Sequence, residues 1–329
     1  MPFEQPLNAE EMRHILSAIM EGKTPPEDIC TFLTTLAKRG ETAEEIAAAV
    51  LVLRAHAVPL PLANPDGLCD TCGTGGDGQV TINVSTLAAL VAAASGARVV
   101  KHGNRAASSR CGSADLLEAL GVNLNASPAQ VARCVDELGF GFCFAPAFHP
   151  AMKVVAPVRK ALGIPTLFNL VGPLANPAPL TFQLVGVADA RLMRPMAEAL
   201  VKLGVRRGLV VHGCDGLDEV TTTGETEFLE VRAGAITGGR LAPESLGLSR
   251  ATLDDLRGGD VARNAQLARE LLGGIRSPAH DLIMVNAGCA LYIAERARTI
   301  TEGIAIARAT LETDQALRLL TRVAELSHA

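Results

Sequence analysis

The sequence of 329 residues contains no apolar stretch long enough to cross a membrane as a helix. Its most apolar segment, residues 84–100, is interrupted by two serines, a threonine, a glycine and an arginine, whereas a spanning helix needs about 20 apolar residues. A basic region at the N-terminus is also missing, because three acidic residues precede Arg13. A secretory signal peptide begins with such a region, so we expect neither membrane insertion nor secretion, and a cytoplasmic location.

An excess of positive charge is absent as well. The chain has 30 Lys and Arg against 35 Asp and Glu, for a net charge of −5. A protein that binds nucleic acid regardless of sequence needs a broad basic surface, so this balance argues against a nucleic-acid partner. Hydrophobic residues make up 48% of the chain and charged residues 20%, which is typical of globular domains. The length corresponds to about two domains of roughly 150 residues each.

A complete set of zinc ligands is missing too. Cys69 and Cys72 form a CxxC, but no second CxxC or HxxxH follows, and a structural zinc site needs four ligands. Most of the eight cysteines stand in apolar runs, where a thiol packs as a small hydrophobic group. We therefore expect the cysteines to be reduced and to serve in packing.

Residues 8–57 predict three short helices. Each begins with a cap residue followed three positions later by glutamate, the capping-box pattern, and the caps are expected at Asn8, Thr24 and Thr42. Gly22 and Gly40 are expected to end the first two helices. The proline-rich stretch VPLPLANPDG then marks a boundary. We expect an N-terminal helical domain over residues 1–64, completed by later helices.

After residue 64 the pattern changes to alternating strands and helices. The apolar runs RVVK, GFGFCFA, TFQLVGV and RGLVVHG alternate with helical segments near residues 85–95, 113–120, 128–138, 150–162 and 190–203. Residues 219–241 predict antiparallel strands or a hairpin, and residues 261–327 predict helices. The predicted fold is therefore α/β, with a small N-terminal helical domain and a larger domain, residues 65–329, built on a mainly parallel sheet.

The strongest chemical signal is the glycine-rich segment DTCGTGGDG at residues 70–78. Such a segment exposes backbone N–H groups that suit an oxyanion, although a flexible turn has the same composition. It also contains GxGxxG, but that dinucleotide fingerprint needs an acidic residue about 20 positions later, and residues 92–101 contain none. A Walker A loop is disfavoured because Ser17 stands where the GKT at residues 22–24 requires glycine.

Two polar segments follow the glycine-rich one. TINVST at residues 81–86 places hydroxyls and an amide at the start of an Ala- and Leu-rich helix, where oxyanions or metals are favoured, but an ordinary helix cap explains it equally well. KHGNRAASSRCGS at residues 101–113 follows the strand RVV, at the strand end where open α/β sheets bind ligands. Its three cations, one histidine and three serines predict a polyanion site, with a solvated charged loop as the alternative.

Two smaller signals complete the set. Arg159 lies on an otherwise apolar helix and is available to pair with a carboxylate, although a surface arginine looks the same in sequence. Asp218 and Glu219 lie in the turn DGLDE after the strand LVVHG. Adjacent carboxylates can hold Mg²⁺ through oxygen ligands, and an acidic turn without metal is the alternative.

Taken together, these segments resemble the anthranilate phosphoribosyltransferase family. GTGGDG, NxST, KHGNRxxSSxxGSADxLEALG, xVRxxLGxxTxFNxxGPLxNP and DGLDE occur in that order, and the resemblance covers nearly the whole chain. It implies transfer of the 5-phosphoribosyl group from 5-phosphoribosyl diphosphate to the amino group of anthranilate, in tryptophan biosynthesis. It also implies an active site at the hinge between the two domains, Mg²⁺ as cofactor and a homodimer formed through the helical domain.

The resemblance also assigns residues to each ligand. For the diphosphate donor they are Gly73, Gly76, Asp77, Thr81, Asn83, Val84, Ser85, Thr86, Lys101, His102, Gly103, Asn104, Arg105, Ala106, Ala107, Ser108, Ser109 and Ser113. For anthranilate they are Gly73, Asn104 and Arg159, and for Mg²⁺ they are Ser85, Asp218 and Glu219. Because the leaving diphosphate gains negative charge, we expect catalysis by positioning and electrostatic stabilisation, without a covalent intermediate. His102 and His149 are candidates for assisting proton removal.

Two other functions are alternatives to this one. A pyrimidine-nucleoside phosphorylase has the same architecture, but its basic loop differs from KHGNR. A non-catalytic relative that binds nucleic acid would show a basic excess and degraded diphosphate motifs. The net charge of −5 and the complete motifs favour the transferase over both alternatives.

Overall fold

The computed structural model describes residues 3–106 and 110–329. Its strands are β1 (Leu68–Gly73), β2 (Arg98–Gly103), β3 (Phe140–Phe144), β4 (Phe182–Gly186), β5 (Arg207–Gly213), β6 (Thr226–Arg232) and β7 (Ala235–Leu241). Its helices are α1 (Ala9–Met20), α2 (Pro26–Arg39), α3 (Ala43–Ala55), α4 (Val84–Ala94), α5 (Ser113–Ala119), α6 (Pro128–Leu138), α7 (Ala145–Phe148), α8 (Ala156–Leu162), α9 (Leu167–Leu174), α10 (Met193–Lys202), α11 (Val261–Leu272), α12 (Pro278–Ile293), α13 (Ile300–Glu312) and α14 (Gln315–Ser327). None of the helices in these ranges is both long and apolar enough to cross a membrane.

The seven strands form one sheet in the order β3-β2-β1-β4-β5-β6-β7. The first five are parallel, whereas β6 and β7 pair antiparallel. The prediction of a mainly parallel sheet beside a helical domain is confirmed, and so is the hairpin within residues 219–241. Because β2 and β4 flank β1 on opposite sides, the strand order reverses there, and open α/β sheets bind ligands at such a point. We call the region at the carboxyl ends of β1 and β4 the crevice.

The two faces of the sheet are covered by different helices. Leu184 and Leu209 pack with residues of α4 and α12, whereas Val185 and Val210 pack with residues of α3, α9 and α10. This alternation follows from the two-residue period of a strand. The apolar stripes of α1–α3 are therefore buried against α9 and α10, and the helical domain sits directly beside the crevice.

For two of the three N-terminal helices, the structure has the cap residue that the sequence predicts. Asn8 and Thr42 form capping boxes at α1 and α3. The predicted cap Thr24 is wrong, because Pro25 is the residue that precedes α2, with φ −60° and ψ 148°. A residue before proline disfavours the helical conformation, so Pro26 forces Pro25 to remain extended and the helix starts one position later than expected.

Two elements of the larger domain differ from the sequence-based prediction. Residues 70–73, assigned to the glycine-rich loop, belong to β1 and pair with β4, and the buried Asp70 and Thr71 bond to Asn176 and Ser85 elsewhere in the chain. The helix expected over 150–162 divides into a 3₁₀ turn at Pro150–Lys153 and α8.

Candidate active site

The turn after β5 passes over the carboxyl ends of β1 and β4. A β-carbon at Gly73 would lie 2.1 Å from Oδ2 of Asp218, and one at Gly186 would lie 1.5 Å from the Asp218 carbonyl oxygen. Real side chains do not approach so closely, so both strand ends require glycine where this turn crosses them. The packing brings Asp218 into the crevice from a position 143 residues beyond Gly75.

Both carboxylates of the turn are bound to backbone amides of the predicted site. The N–H of Gly75 donates to Asp218 Oδ2 at 2.7 Å, and the N–H of Ser85 donates to Glu219 Oε1 at 3.1 Å. The glycine-rich loop, the start of α4 and the acidic turn are therefore connected directly. The structure places the three predicted magnesium ligands, Ser85, Asp218 and Glu219, in one contiguous group.

The electrostatics of this group favour a cation. Burial raises the pKa of Asp218, and burial together with the neighbouring Asp218 raises that of Glu219, while Lys101 opposes the second shift. Burial and Asp218 also raise the pKa of Asp77, to about 6. Clustered buried carboxylates repel one another, and their oxygens are the ligands that Mg²⁺ prefers. The residues therefore fit Mg²⁺, with Asp77 as a further carboxylate near the predicted ligands.

Lys101 lies beneath this group and is only 2% exposed. Its ammonium donates to the Thr71 carbonyl at 2.7 Å and to Ser85 Oγ at 3.3 Å. The Thr71 hydroxyl in turn donates to the Ser85 carbonyl at 2.8 Å. Lys101 thus supplies positive charge to the acidic group from below and fixes the Ser85 hydroxyl.

The start of α4 is held by residues that the sequence did not single out. Asn83 Nδ2 donates to the Cys111 carbonyl at 2.9 Å, and Asn83 Oδ1 accepts a bond from Asn264 Nδ2 at 2.9 Å. Thr81 forms an isolated β-bridge with Arg257. Val84 and Thr86 are buried, so their side chains do not face the crevice surface. Asn264 lies 181 residues beyond Asn83, so no local sequence pattern could identify it as part of the site.

The loop after β2 is braced against α5. The Arg105 guanidinium donates to Asp115 and Glu118 at 2.8–2.9 Å, and the Ala106 N–H donates to Asp115 Oδ2 at 2.9 Å. The Ser113 hydroxyl donates to the Asn104 carbonyl at 3.3 Å. Arg105 is thus engaged with acids of its own chain. The predicted donor ligands Ala107, Ser108 and Ser109 lie outside the described residues.

Arg159 is half-buried on α8. Its guanidinium lies 5.5 Å from the centre of the Phe168 ring, and its Nη2 donates to Asn169 Oδ1 at 3.4 Å. Burial lowers its pKa, and an arginine remains charged in proteins at neutral pH. A desolvated guanidinium with one long hydrogen bond is well suited to bind a carboxylate.

His102 and His149 meet near the carboxyl end of β2. Their rings are 5.1 Å apart in an edge-to-face arrangement. Burial and the neighbouring His149 lower the pKa of His102 to about 3, and burial lowers that of His149. Both imidazoles are therefore neutral at physiological pH.

The CxxC cysteines have structural surroundings. Cys69 and Cys72 are buried, and burial raises the pKa of both thiols. All eight cysteines are free thiols. In the described parts of the chain no three or more His, Cys, Asp or Glu side chains are grouped so as to hold a metal ion by themselves.

Two family descriptions match the chain. Residues 4–57 match the glycosyl transferase family, helical bundle domain. Residues 66–317 match the glycosyl transferase family, a/b domain.

Individual relatives agree with these matches. The anthranilate phosphoribosyltransferase of Rubrobacter xylanophilus is 49% identical over 98% of this chain and 94% of its own. The crystal structure of the Thermus thermophilus anthranilate phosphoribosyltransferase is 48% identical, has a TM-score of 0.95, and covers 99% of this chain and 97% of its own. A Saccharomyces cerevisiae anthranilate phosphoribosyltransferase in complex with PRPP and Mg is 30% identical with a TM-score of 0.89, over 98% of this chain and 94% of its own.

These matches extend over both domains and include every segment that forms the crevice. They support the transferase interpretation and neither of the two alternatives considered from the sequence. The chain belongs to the anthranilate phosphoribosyltransferases of the glycosyl transferase family.

Proposed function

We propose that this protein transfers the 5-phosphoribosyl group of 5-phosphoribosyl diphosphate to the amino group of anthranilate, releasing diphosphate, as a step of tryptophan biosynthesis. The observation that carries the proposal is the acidic turn at Asp218 and Glu219, which joins the glycine-rich loop to the start of α4 through two backbone hydrogen bonds. This arrangement places amide donors, hydroxyls and carboxylates around one crevice, as a magnesium-bound diphosphate requires.

The donor side is assigned to the strand ends of β1 and β2 and the start of α4. Its proposed ligands are the residues named from sequence between Gly73 and Ser113. Arg105 is paired with Asp115 and Glu118, and the side chains of Val84 and Thr86 are buried, so for these three residues the contribution is through the backbone. Ser85, Asp218 and Glu219 would hold Mg²⁺, which when bound would neutralise charge on the leaving diphosphate. The buried Lys101 keeps the Ser85 hydroxyl oriented for this purpose.

The acceptor side is assigned to Arg159, Asn104 and the Gly73 backbone. Arg159 binds the anthranilate carboxylate, because it is a half-buried cation beside the crevice that is held by one long bond to Asn169. When the carboxylate is fixed in this way, the amine of anthranilate faces the ribose carbon that carries the diphosphate, on the side opposite this leaving group. Such orientation removes much of the entropic barrier to a reaction between two molecules.

The proton of the amine does not require a strong protein base. With its pKa near 3, His102 is a poor proton acceptor at neutral pH, since an effective base has a pKa near the working pH. We therefore propose that His102 and His149 act as neutral hydrogen-bonding groups and that the rate enhancement comes from positioning and electrostatics.

The assembly and location are also proposals. The division into residues 1–64 and 65–329 follows the proline-rich boundary. A homodimer through the helical domain is proposed from the family resemblance. A cytoplasmic location is supported by the eight free thiols, because reducing compartments keep cysteines unpaired.

The direct test follows the loss of anthranilate fluorescence on addition of enzyme. Turnover that requires both 5-phosphoribosyl diphosphate and Mg²⁺ is expected. A matched reaction with a pyrimidine nucleoside and phosphate should release no base. Base release, or an unchanged fluorescence signal when both transferase substrates and metal are present, would overturn the proposal.

A further inference from the structure

The last carbonyl groups of helix α9 accept partly buried hydrogen bonds from side chains of other elements. The C-terminal carbonyls of a helix have no partners within the helix, and α9 ends at Leu174 with Pro173 just before it. The Pro173 carbonyl accepts a bond from Gln183 Nε2 at 2.8 Å. The Leu174 carbonyl accepts one from Arg54 Nη2 at 2.8 Å.

The two histidines beside the crevice lie near the same helix end. The backbone of Gly172 opposes the lowering of the His102 pKa, and the backbone of Ala175 opposes the lowering of the His149 pKa. The carbonyl groups of residues 173 and 174 are thus held by side chains from β4 and α3. We call this set of contacts the α9 anchor.

Arg54 is the member of the α9 anchor that comes from the helical domain. It lies in the last turn of α3, and burial lowers its pKa to about 10 while the nearby Asp70 opposes the shift. Its Nε is buried without a hydrogen-bond partner in the part of the chain that the structure describes. A half-buried cation whose Nε lacks a partner is unfavourable for folding alone, which points to a role in function.

The opposite end of α9 carries the residues that contact Arg159. Phe168 lies under the Arg159 guanidinium and Asn169 accepts its hydrogen bond. Asn169 also accepts the Thr166 N–H at 3.0 Å, which fixes the start of the helix. A helix of eight residues moves as a rigid unit, so a shift at Leu174 is transmitted to Phe168 and Asn169.

We infer that Arg54 is a positioning residue for the acceptor site: by holding the C-terminal end of α9 from the helical domain, it sets the position of Arg159 toward the anthranilate carboxylate. The inference rests on the proposed function for the identity of the acceptor. Arg54 itself touches no reacting group, so its effect passes through α9 and Arg159.

The first experiment compares the kinetics of Arg54→Met, Arg54→Lys and the wild type. Arg54→Met keeps the apolar stem and removes the donor, and we expect the KM for anthranilate to rise about tenfold while the KM for 5-phosphoribosyl diphosphate changes less than about twofold. Arg54→Lys, which can still donate to the Leu174 carbonyl, should recover most of the loss. Equal changes in both KM values, or no change in either, would overturn the inference.

A matched control separates positioning from stability. Arg39, also half-buried in the helical domain, donates to the Phe3 and Gly40 carbonyls and pairs with Glu45. Arg39→Met should lower the unfolding temperature without changing the KM for anthranilate. If Arg39→Met raises that KM as much as Arg54→Met does, the effect is general destabilisation and the inference is wrong.

A double variant tests the route through Arg159. In an Arg159→Ala background, Arg54→Met should leave the KM for anthranilate unchanged, because the group it positions is gone. A full tenfold rise in that background would show that Arg54 acts by another route.

A measurement without turnover distinguishes this inference from the proposed function. Hydrogen exchange in residues 167–174 should be faster in Arg54→Met, restored in Arg54→Lys and unchanged in Arg39→Met. An inactive wild type would refute the proposed function and with it the acceptor role. An active wild type whose α9 exchanges at the same rate in Arg54→Met would refute only the inference.

Discussion

The donor and acceptor sides of the crevice are built in different ways. On the donor side the Asp218 turn crosses two glycines so closely that a β-carbon at Gly186 would lie 1.5 Å from its backbone. On the acceptor side Arg159 is held by one bond of 3.4 Å and a ring at 5.5 Å, on a helix of seven residues. The donor side depends on main-chain contact within the sheet, whereas the acceptor side depends on packing between short helices and the helical domain.

This difference has a chemical reason. A diphosphate and its metal carry concentrated charge, so the groups that hold them must be fixed before binding if they are to stabilise the transition state. Anthranilate carries a single carboxylate and has to enter beside the donor. Because Arg159 is held more loosely, anthranilate can enter beside it. The position of Arg159 is set by α9 and the helical domain and not by the sheet.

The largest expected effect comes from removing the charges of the donor side. Asp218→Asn combined with Glu219→Gln should lower activity on the order of 1,000-fold, since a catalytic metal contributes several kcal/mol. The Mg²⁺ titration should also shift to higher concentration. Asp215→Asn is the control: it lies in the same turn but accepts bonds from Thr221 and Thr223, so its metal titration should match the wild type. An unshifted titration in the double variant would reject Asp218 and Glu219 as ligands.

Overpacking the donor side should have the next largest effect. Gly186→Ala should displace the Asp218 turn, reducing kcat/KM about 100-fold and lowering the free energy of unfolding by about 1–3 kcal/mol. Gly172→Ala is a matched control for stability, because its β-carbon meets open space and alanine favours the helix. Chemical denaturation of both variants measures the difference. A Gly186→Ala protein as stable and active as the wild type would contradict the tight contact described here.

The acceptor side should respond selectively. Arg159→Ala should raise the KM for anthranilate about 10- to 100-fold, the loss expected when a charged hydrogen bond worth about 1.5–3 kcal/mol is removed, and should change the KM for the donor much less. Lys160→Ala alters the exposed neighbour and should leave both constants near those of the wild type. Equal rises in the two KM values for Arg159→Ala would remove the distinction between the sides.

The smallest effect is a pH dependence of stability at Asp70, between the two sides. Burial raises the pKa of Asp70 to about 6, above the value of about 3.9 in an unfolded chain. The folded state therefore binds the proton more tightly, and this stabilisation is complete below about pH 4 and lost as the pH rises through about 6.

Asp70→Asn removes that titration. Between about pH 4 and 6 the wild type should lose about 1 kcal/mol of unfolding free energy per pH unit relative to Asp70→Asn, because the two states differ by up to one proton. Urea unfolding of both proteins across this range gives the comparison. Parallel pH profiles would show that Asp70 does not titrate there.

The sequence identified the motifs of the donor side more completely than their surroundings. The glycine-rich segment and DGLDE were recognisable because each is a short contiguous stretch with a chemical meaning. Asn264, which holds Asn83, and Arg54, which holds α9, gave no such signal because their partners are more than 100 residues away. The individual ligand assignments remain predictions that the variants above can test.

By itself, the sequence determined the alternation of strands and helices, two of the three helix starts in the helical domain, and the family to which the chain belongs. Those features follow from local periodicity, capping and contiguous motifs. Only the tertiary structure decided that the polar stretch at Asp70 and Thr71 is a central strand, that Arg105 is paired with α5, and that α3 reaches the end of α9. Each of these depends on a hydrogen bond or ion pair with a residue that lies between 10 and 120 positions away in another element, beyond the reach of capping or local periodicity.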